Sequence, residues 1–470
     1  MIWLQRALIA ATVVLLGWFL PTLFFDDAYI TFRYAVNLAA GDGFTWNPPE
    51  RVLGVTTPLY TLLLAGAARA GADLESAALW FGLGGHLLMC LIVFEAMRLL
   101  IPDEGKGAGL VPLGGALLCA LHPHLALTAM GGMETPLYVA LLLGTFVAAA
   151  RGASRGAGGL LGLALLTRPD AVLAAPPAAW LLRRAGGRLM PAAITAAVVT
   201  APWVLYAMWA FGSPLPHSIA AKRVVHPFGP FQILLEFGSF LWDDPMLLAA
   251  IPLALWGLER RKREPLSLAL AAFCVLYLAA YAASGITPFP WYVNPLLPPL
   301  LMLGLAGVDD LLGRVRIDRR LSWAAVLVVA LGFAGVQLDK QSRMLSDAWE
   351  QWEGQYELVA RWLMSNSRPG DRILVGEVGV VGYLLPERVV LDSSGINSPE
   401  VLKLRRGRRE EDPQWTRDVI QKLRPDYIAT SIDYLNIRVL SEEPWFQQSY
   451  ERVEPPLLDR EGQVIFKRRI

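Results

Sequence analysis

Two adjacent carboxylates, Asp26 and Asp27, stand within two residues of the end of an apolar run at 5–24. Ionisable groups at membrane depth are costly and rarely idle. The pair is therefore either a site of chemistry or two acids solvated among lipid headgroups. A positioned carboxylate can take a proton from a hydroxyl group. Helical spacing from Asp26 brings Ile30, Arg33 and Tyr34 to the same side, so that an acid, a base and an aromatic share one face of a short helix. Gly41, Gly43, Asn47, Pro48 and Pro49 then make a turn-rich connection.

Elements must hold these residues in place. The 470-residue chain is 54% hydrophobic and 18% charged, with mean hydropathy +0.42, where a soluble domain is about 25% charged. Residues 1–338 contain 41 of the Asp, Glu, Lys and Arg residues, and the last 132 residues contain 42. This division predicts a membrane-embedded domain over 1–338 and a water-soluble domain over 339–470. A net charge of +1 gives no global attraction to nucleic acid. Cys90, Cys119 and Cys274 lie far apart in apolar runs and read as buried small side chains, because metal sites need clustered Cys and His. His122 and His124 flank Pro123 without the helical i, i+4 spacing of a metal pair. The N-terminal run is too long for a signal peptide and lacks a small-residue cleavage site, so it reads as an uncleaved first span.

Crossing a membrane takes about 20 apolar residues. The candidates are 5–24, 74–101, 108–128, 135–150, 157–168, 170–183, 190–211, 245–258, 265–284, 291–312 and 321–338, about eleven spans. Segment 56–71 is shorter and is expected to lie in the interface. Lys106, then Arg151 and Arg155, then Arg183, Arg184 and Arg188, then Arg260 to Arg263, then Arg314, Arg316, Arg319 and Arg320 follow alternate spans. The positive-inside rule assigns these loops to the cytoplasm. It leaves loops 25–55, 129–134, 212–244 and 285–290, with everything after 338, outside. In the tail, an amphipathic helix is expected over 347–366, and strands over RILVGEVG, ERVVLD, PDYIATS and QVIFKRR. GEVGVVG is similar to a dinucleotide-binding turn, but its spacing is G-x-x-G-x-x-G and it reads as a structural turn.

The stretch DDAYITFRYAVNLAAGDGFTWNPPERVLGVTTPLYTLLLA closely resembles the first periplasmic loop of polyprenyl-phosphate-dependent GT-C glycosyltransferases, and most of all the mycobacterial arabinofuranosyltransferases. The likeness continues through GGMETPLY (131–138), LLTRPDAVL (165–173) and GSPLPHSIAAK (212–222). It implies a polytopic α-helical membrane protein of GT-C type with a C-terminal periplasmic α/β domain, multi-pass in the bacterial inner membrane, with the active site facing the periplasm. The implied reaction is inverting transfer of a sugar, arabinofuranose by the nearest resemblance, from a polyprenyl-phosphate donor to a glycan, glycolipid or protein. Asp26 is implied as general base. Asp27 is implied to help hold the donor phosphate, sometimes through a divalent metal ion; no other cofactor is implied.

Such a transfer needs a base for the acceptor hydroxyl, while a lipid phosphate leaves readily and needs positive charge or hydrogen-bond donors. Arg33, Lys222 and Arg223 lie on the outer side and are candidates for the phosphate, with headgroup contact as the alternative for the last two. Tyr34 belongs to the same donor-side group as Arg33. Arg168, beside Pro169 and Asp170, is either half of a structural ion pair or a donor contact. Glu134 is either a supporting acid of the site or an acid favoured at a helix N-terminus. His217 is a candidate for sugar or phosphate contact, against the plainer reading of a solvent-facing loop histidine.

Two other functions compete. A transporter or flippase of polyprenyl lipids would show two related halves and mid-membrane binding groups, whereas no repeat is visible and the acids cluster at the outer surface. A docking role for the tail rests on the basic run from Lys403 to Arg409, and such runs are usually solvated.

Overall fold

A computed structural model describes residues 2–101, 110–225, 228–314, 318–351, 353–408, 412–453 and 462–469. Lys106, Arg316 and Arg409 lie outside the described residues. The chain forms two compact units, neither contiguous in sequence. The first comprises 1–23, 75–204 and 228–344; the second comprises 24–74, 205–227 and 345–470. The tail thus shares its unit with the loop that carries Asp26 and Asp27.

The first unit is helical. Among the described residues five helices are long and apolar enough to cross a membrane: Ile2–Phe19, Leu74–Leu100, Leu189–Phe211, Pro265–Ser284 and Arg320–Asp347. Two bent pairs raise the number to seven if each is one span: Leu110–Leu121 with Pro123–Met130, bent by 55°, and Pro230–Trp242 with Pro245–Arg260, bent by 107°. The expectation of about eleven spans is therefore corrected to five to seven. The helices Thr135–Ala150 (16 residues), Ser154–Thr167 (14), Ala175–Arg184 (10) and Leu297–Leu312 (16) fall short of the length a crossing needs. Hydropathy alone merged short packed helices with true spans. Pro230–Trp242, expected within an outer loop, is instead the first arm of a bent pair.

Packing in this unit relies on backbone approach. Helices Pro245–Arg260 and Leu297–Leu312 cross so closely that a Cβ on Gly257 would lie 2.4 Å from the Leu303 carbonyl oxygen, and one on Gly307 would lie 2.1 Å from that of Leu253. Small residues at such a crossing let dispersion act where no hydrophobic force separates helix from lipid.

The second unit is built on a five-stranded sheet of order β2-β1-β3-β5-β4, with β1 Arg372–Val375, β2 Val389–Asp392, β3 Tyr427–Ser431, β4 Tyr450–Val453 and β5 Gln463–Arg468. Strands β1, β2 and β3 are parallel, whereas β5 runs antiparallel to β3 and β4. The four strands expected from sequence are present. Strand β4, whose exposed central residues Glu451 and Arg452 break any apolar run, was not expected. Trp415, Val419, Ile420, Ile428, Leu440, Phe446 and Phe466 form the core beneath the sheet. Around this sheet lie the helices Asp26–Ala40, Pro58–Arg69 and His217–Val225.

Candidate active site

Asp26 and Asp27 form the first turn of the Asp26–Ala40 helix, where unpaired backbone N–H groups favour acids. The two side chains have different surroundings. Asp26 is 9% exposed, and both its carboxylate oxygens are engaged by the segment after β1: Gly379 N–H donates to Oδ2 and Val380 N–H to Oδ1, each at 2.8 Å. Burial pushes its carboxyl up to about 6. The two backbone donors pull it back, and the charges of Asp27 and Asp392 push it further up. Asp27 is half-buried and makes no hydrogen bond among the described residues.

The glycines of GEVGVVG are placed by contact. A Cβ on Gly379 would lie 1.8 Å from the Asp26 backbone oxygen, and one on Gly382 would lie 2.4 Å from the Trp46 ring. The segment expected to be a turn is a short helix, Gly379–Leu384. The i, i+3 spacing of its glycines, visible in sequence, was the signal that a neighbour's backbone packs there.

Arg33 is 2% exposed and does not present its guanidinium outward as a donor-phosphate contact would require. Its Nε donates to the Trp46 carbonyl at 2.7 Å, its Nη1 to the Gly382 and Leu385 carbonyls, and its Nη2 to Asn47 Oδ1 at 3.0 Å and the Arg388 carbonyl at 3.2 Å. The group also sits 4.6 Å over the Trp46 ring. Burial lowers it to about 10, so it stays charged at neutral pH. Asn47 completes the contact: its side-chain amide exchanges two hydrogen bonds with Val390 on the edge strand β2, at 2.9 and 3.1 Å. From sequence Asn47 is only a residue of a turn-rich connection; its partner on β2 is 343 positions away.

Tyr34 is fully buried. Its hydroxyl lies 2.7 Å from the Val52 carbonyl and 3.2 Å from Asn397 Oδ1, and accepts from Gly54 N–H. Asn397 belongs to a tight loop in which Asp392 accepts from Ser394 and from both the backbone and side chain of Asn397. His217 belongs to the same unit. Burial lowers its imidazole, against the opposing influence of the Gly395 backbone and Asp392. Lys222 is half-buried and Arg223 exposed on the helix that His217 begins.

In the first unit, Glu134, Arg168 and Asp170 converge. Arg168 meets Glu134 at 3.0 Å and Asp170 at 3.2 Å, and its guanidinium lies 4.8 Å over the Tyr292 ring. Tyr281 donates to Asp170 at 2.7 Å. Both readings of Arg168 placed it beside Asp170; the structure adds Glu134 as a second partner. His122 meets Asp244 Oδ2 at 3.1 Å, with His124 at 3.9 Å from the same oxygen. No group of three or more His, Cys, Asp or Glu side chains able to hold a metal ion occurs among the described residues.

This architecture defines a polytopic α-helical membrane protein with a GT-C-like fold and a C-terminal β-containing domain. The chain superposes on ArnT from Cupriavidus metallidurans bound to undecaprenyl phosphate with TM-score 0.64 at 11% identity, covering 99% of this chain and 97% of that one. It superposes on the archaeal oligosaccharyltransferase AglB from Archaeoglobus fulgidus, in complex with an inhibitory peptide and a dolichol-phosphate, with TM-score 0.59 at 13% identity, covering 99% and 74%. For the mycobacterial arabinofuranosyltransferase AftD the values are 0.56 and 16%, covering 98% and 39%. Over 147 residues, 30% of the chain, it is 33% identical to a terminal beta-(1->2)-arabinofuranosyltransferase of Mycobacterium tuberculosis (strain ATCC 25618 / H37Rv). That match spans 23% of the relative's length. Residues 345–465 match a family described as Domain of unknown function (DUF8728).

Proposed function

We propose that this protein is an inverting glycosyltransferase that moves a sugar from a polyprenyl-phosphate donor to an acceptor hydroxyl at the outer face of the membrane. The observation that carries the reading is the carboxylate pair at the start of the Asp26–Ala40 helix, with one acid gripped by two backbone donors and its neighbour's carboxylate making no hydrogen bond among the described residues. Two of the four lone-pair sites of Asp26 are used by Gly379 and Val380, and the others can accept a proton. A carboxyl near 6 is ionised at neutral pH and is a stronger base than an ordinary aspartate. In the transfer the acceptor oxygen bonds to the anomeric carbon as its proton passes to Asp26, and the bond to the lipid phosphate breaks with its electrons on phosphate. One displacement at that carbon inverts it.

Asp27 faces the substrate, and Lys222 and Arg223 supply charge toward the phosphate. An apolar cavity of about 530 Å³ in the first unit, lined by Leu118, Met246, Leu253, Leu301, Val329 and Phe333 among others, suits an isoprenoid chain. The undecaprenyl phosphate bound to ArnT and the dolichol-phosphate in complex with AglB support a lipid-phosphate donor. The 33% identity to a mycobacterial enzyme supports arabinofuranose as the sugar. The acceptor is a glycan, glycolipid or protein.

The test is transfer by the purified, reconstituted protein from synthetic polyprenyl-phosphate sugars. Wild type should transfer. Asp26→Asn, which keeps shape but loses the proton acceptor, should be slower by about 10²–10⁴-fold. Near wild-type turnover by Asp26→Asn would remove Asp26 as base, and turnover by Asp26→Asn/Asp27→Asn would remove the enzymatic reading of the pair.

A further inference from the structure

We propose that the tail's Gly379–Val380 segment is the positioning element of the catalytic base, holding the Asp26 carboxylate in one orientation. The inference rests on the reading of Asp26 as base. Its geometry is that of a two-point grip: one N–H on each oxygen, both at 2.8 Å, from consecutive residues. The grip needs glycine at 379, because any Cβ there would lie 1.8 Å from the Asp26 carbonyl oxygen and push the helix away. Trp46 against Gly382, and Arg33 on the Gly382, Leu385 and Arg388 carbonyls, fix the same segment from the next turns.

The place in the sheet is also informative. Strands β2 and β3 lie on opposite sides of β1, so the end of β1 is where the strand order reverses. In open α/β sheets that crevice, with its glycine-rich turn, receives an anionic ligand. Here the anion is a side chain of the same polypeptide, delivered by residues 353 positions earlier.

A stitch that merely joins loop to tail, once loosened, would lower stability and leave the kcat of the folded protein unchanged, whereas loss of a positioning element lowers kcat. Val380→Pro replaces one donor by a ring methylene that cannot share the 2.8 Å approach to Oδ1, so it displaces the Asp26 carboxylate. In the full-length reconstituted enzyme kcat should fall by about 10²-fold, with donor KM within twofold. Val380→Ala, which keeps the N–H, should retain the wild-type kcat. A wild-type kcat for Val380→Pro would overturn the proposal.

A second measurement needs neither activity nor a proline. Hydrogen exchange by mass spectrometry across 376–384 in full-length Asp26→Asn should be at least about tenfold faster than in wild type, since a bonded amide loses its acceptor. Unchanged protection would overturn the grip. A wild-type protein that transfers nothing would sink the proposed function instead, and the exchange measurement would still decide the grip.

Discussion

Asp26 is held up near 6 chiefly by burial, so its proton equilibrium links activity to stability. In its proposed role as general base it works deprotonated, and transfer should fall as pH drops through about 6; a pH–rate profile of the reconstituted protein checks this. The stability sign is opposite. The folded carboxyl binds its proton more tightly than the unfolded one, whose pKa is about 3.9. The resulting stabilisation is present below 3.9 and is lost as pH rises through 6, on the order of 2–3 kcal/mol for one such group. Unfolding in detergent across pH 4–7 should show this slope in wild type and a flatter one in Asp26→Asn. Arg33 gives the complementary case. Arg33→Lys keeps the charge but cannot serve carbonyls at 46, 382, 385 and 388 together with Asn47. It should destabilise the fold by about 1–3 kcal/mol and leave donor KM unchanged in the protein that remains folded. A raised KM at unchanged stability would return Arg33 to the phosphate.

Among the elements, the two bent helix pairs meet at their breaks. His122 is the residue between Leu110–Leu121 and Pro123–Met130, and Asp244 caps Pro245–Arg260 through Oδ1 while its Oδ2 faces His122. Asp244→Ala removes the cap and the histidine's partner together, and should lower stability by about 1–3 kcal/mol. Asp244→Asn keeps the capping oxygen and should lose less; equal losses in thermal unfolding would mean the cap contributes little. Such contacts mark the limit of sequence reading. The acid pair, its helix and four of five strands were legible, because helical spacing and apolar runs are local signals. What Asp26 and Arg33 touch was not, because their partners lie 353 and 349 positions away. Periodicity in one segment carries no information about such a partner. The span count erred for the related reason that short helices packed on helices, such as Thr135–Ala150, are as apolar as spans.

The whole molecule is constrained by the composition of its second unit. Residues 24–74, 205–227 and 345–470 pack into one compact unit, so the expected topology has an even number of crossings between its segments. In the first unit Arg6, Arg98 and Arg151 gather on Glu95, while Arg261 reaches the Leu100 carbonyl and Asp309. Basic residues therefore concentrate at one end, which the positive-inside rule assigns to the cytoplasm. A reporter active only outside the cytoplasm should work when fused after residue 470 and when inserted at residue 50. Opposite results at the two positions would contradict the shared unit. The long reach between Asp26 and Gly379 also sets an order of events during synthesis. The ribosome delivers the acid 353 positions before the first residue of its grip. A chain interrupted before residue 379 carries Asp26 with neither N–H to hold the carboxylate. The activity proposed for the pair is thereby expected only of a chain completed through the tail's first strand and the segment that follows it.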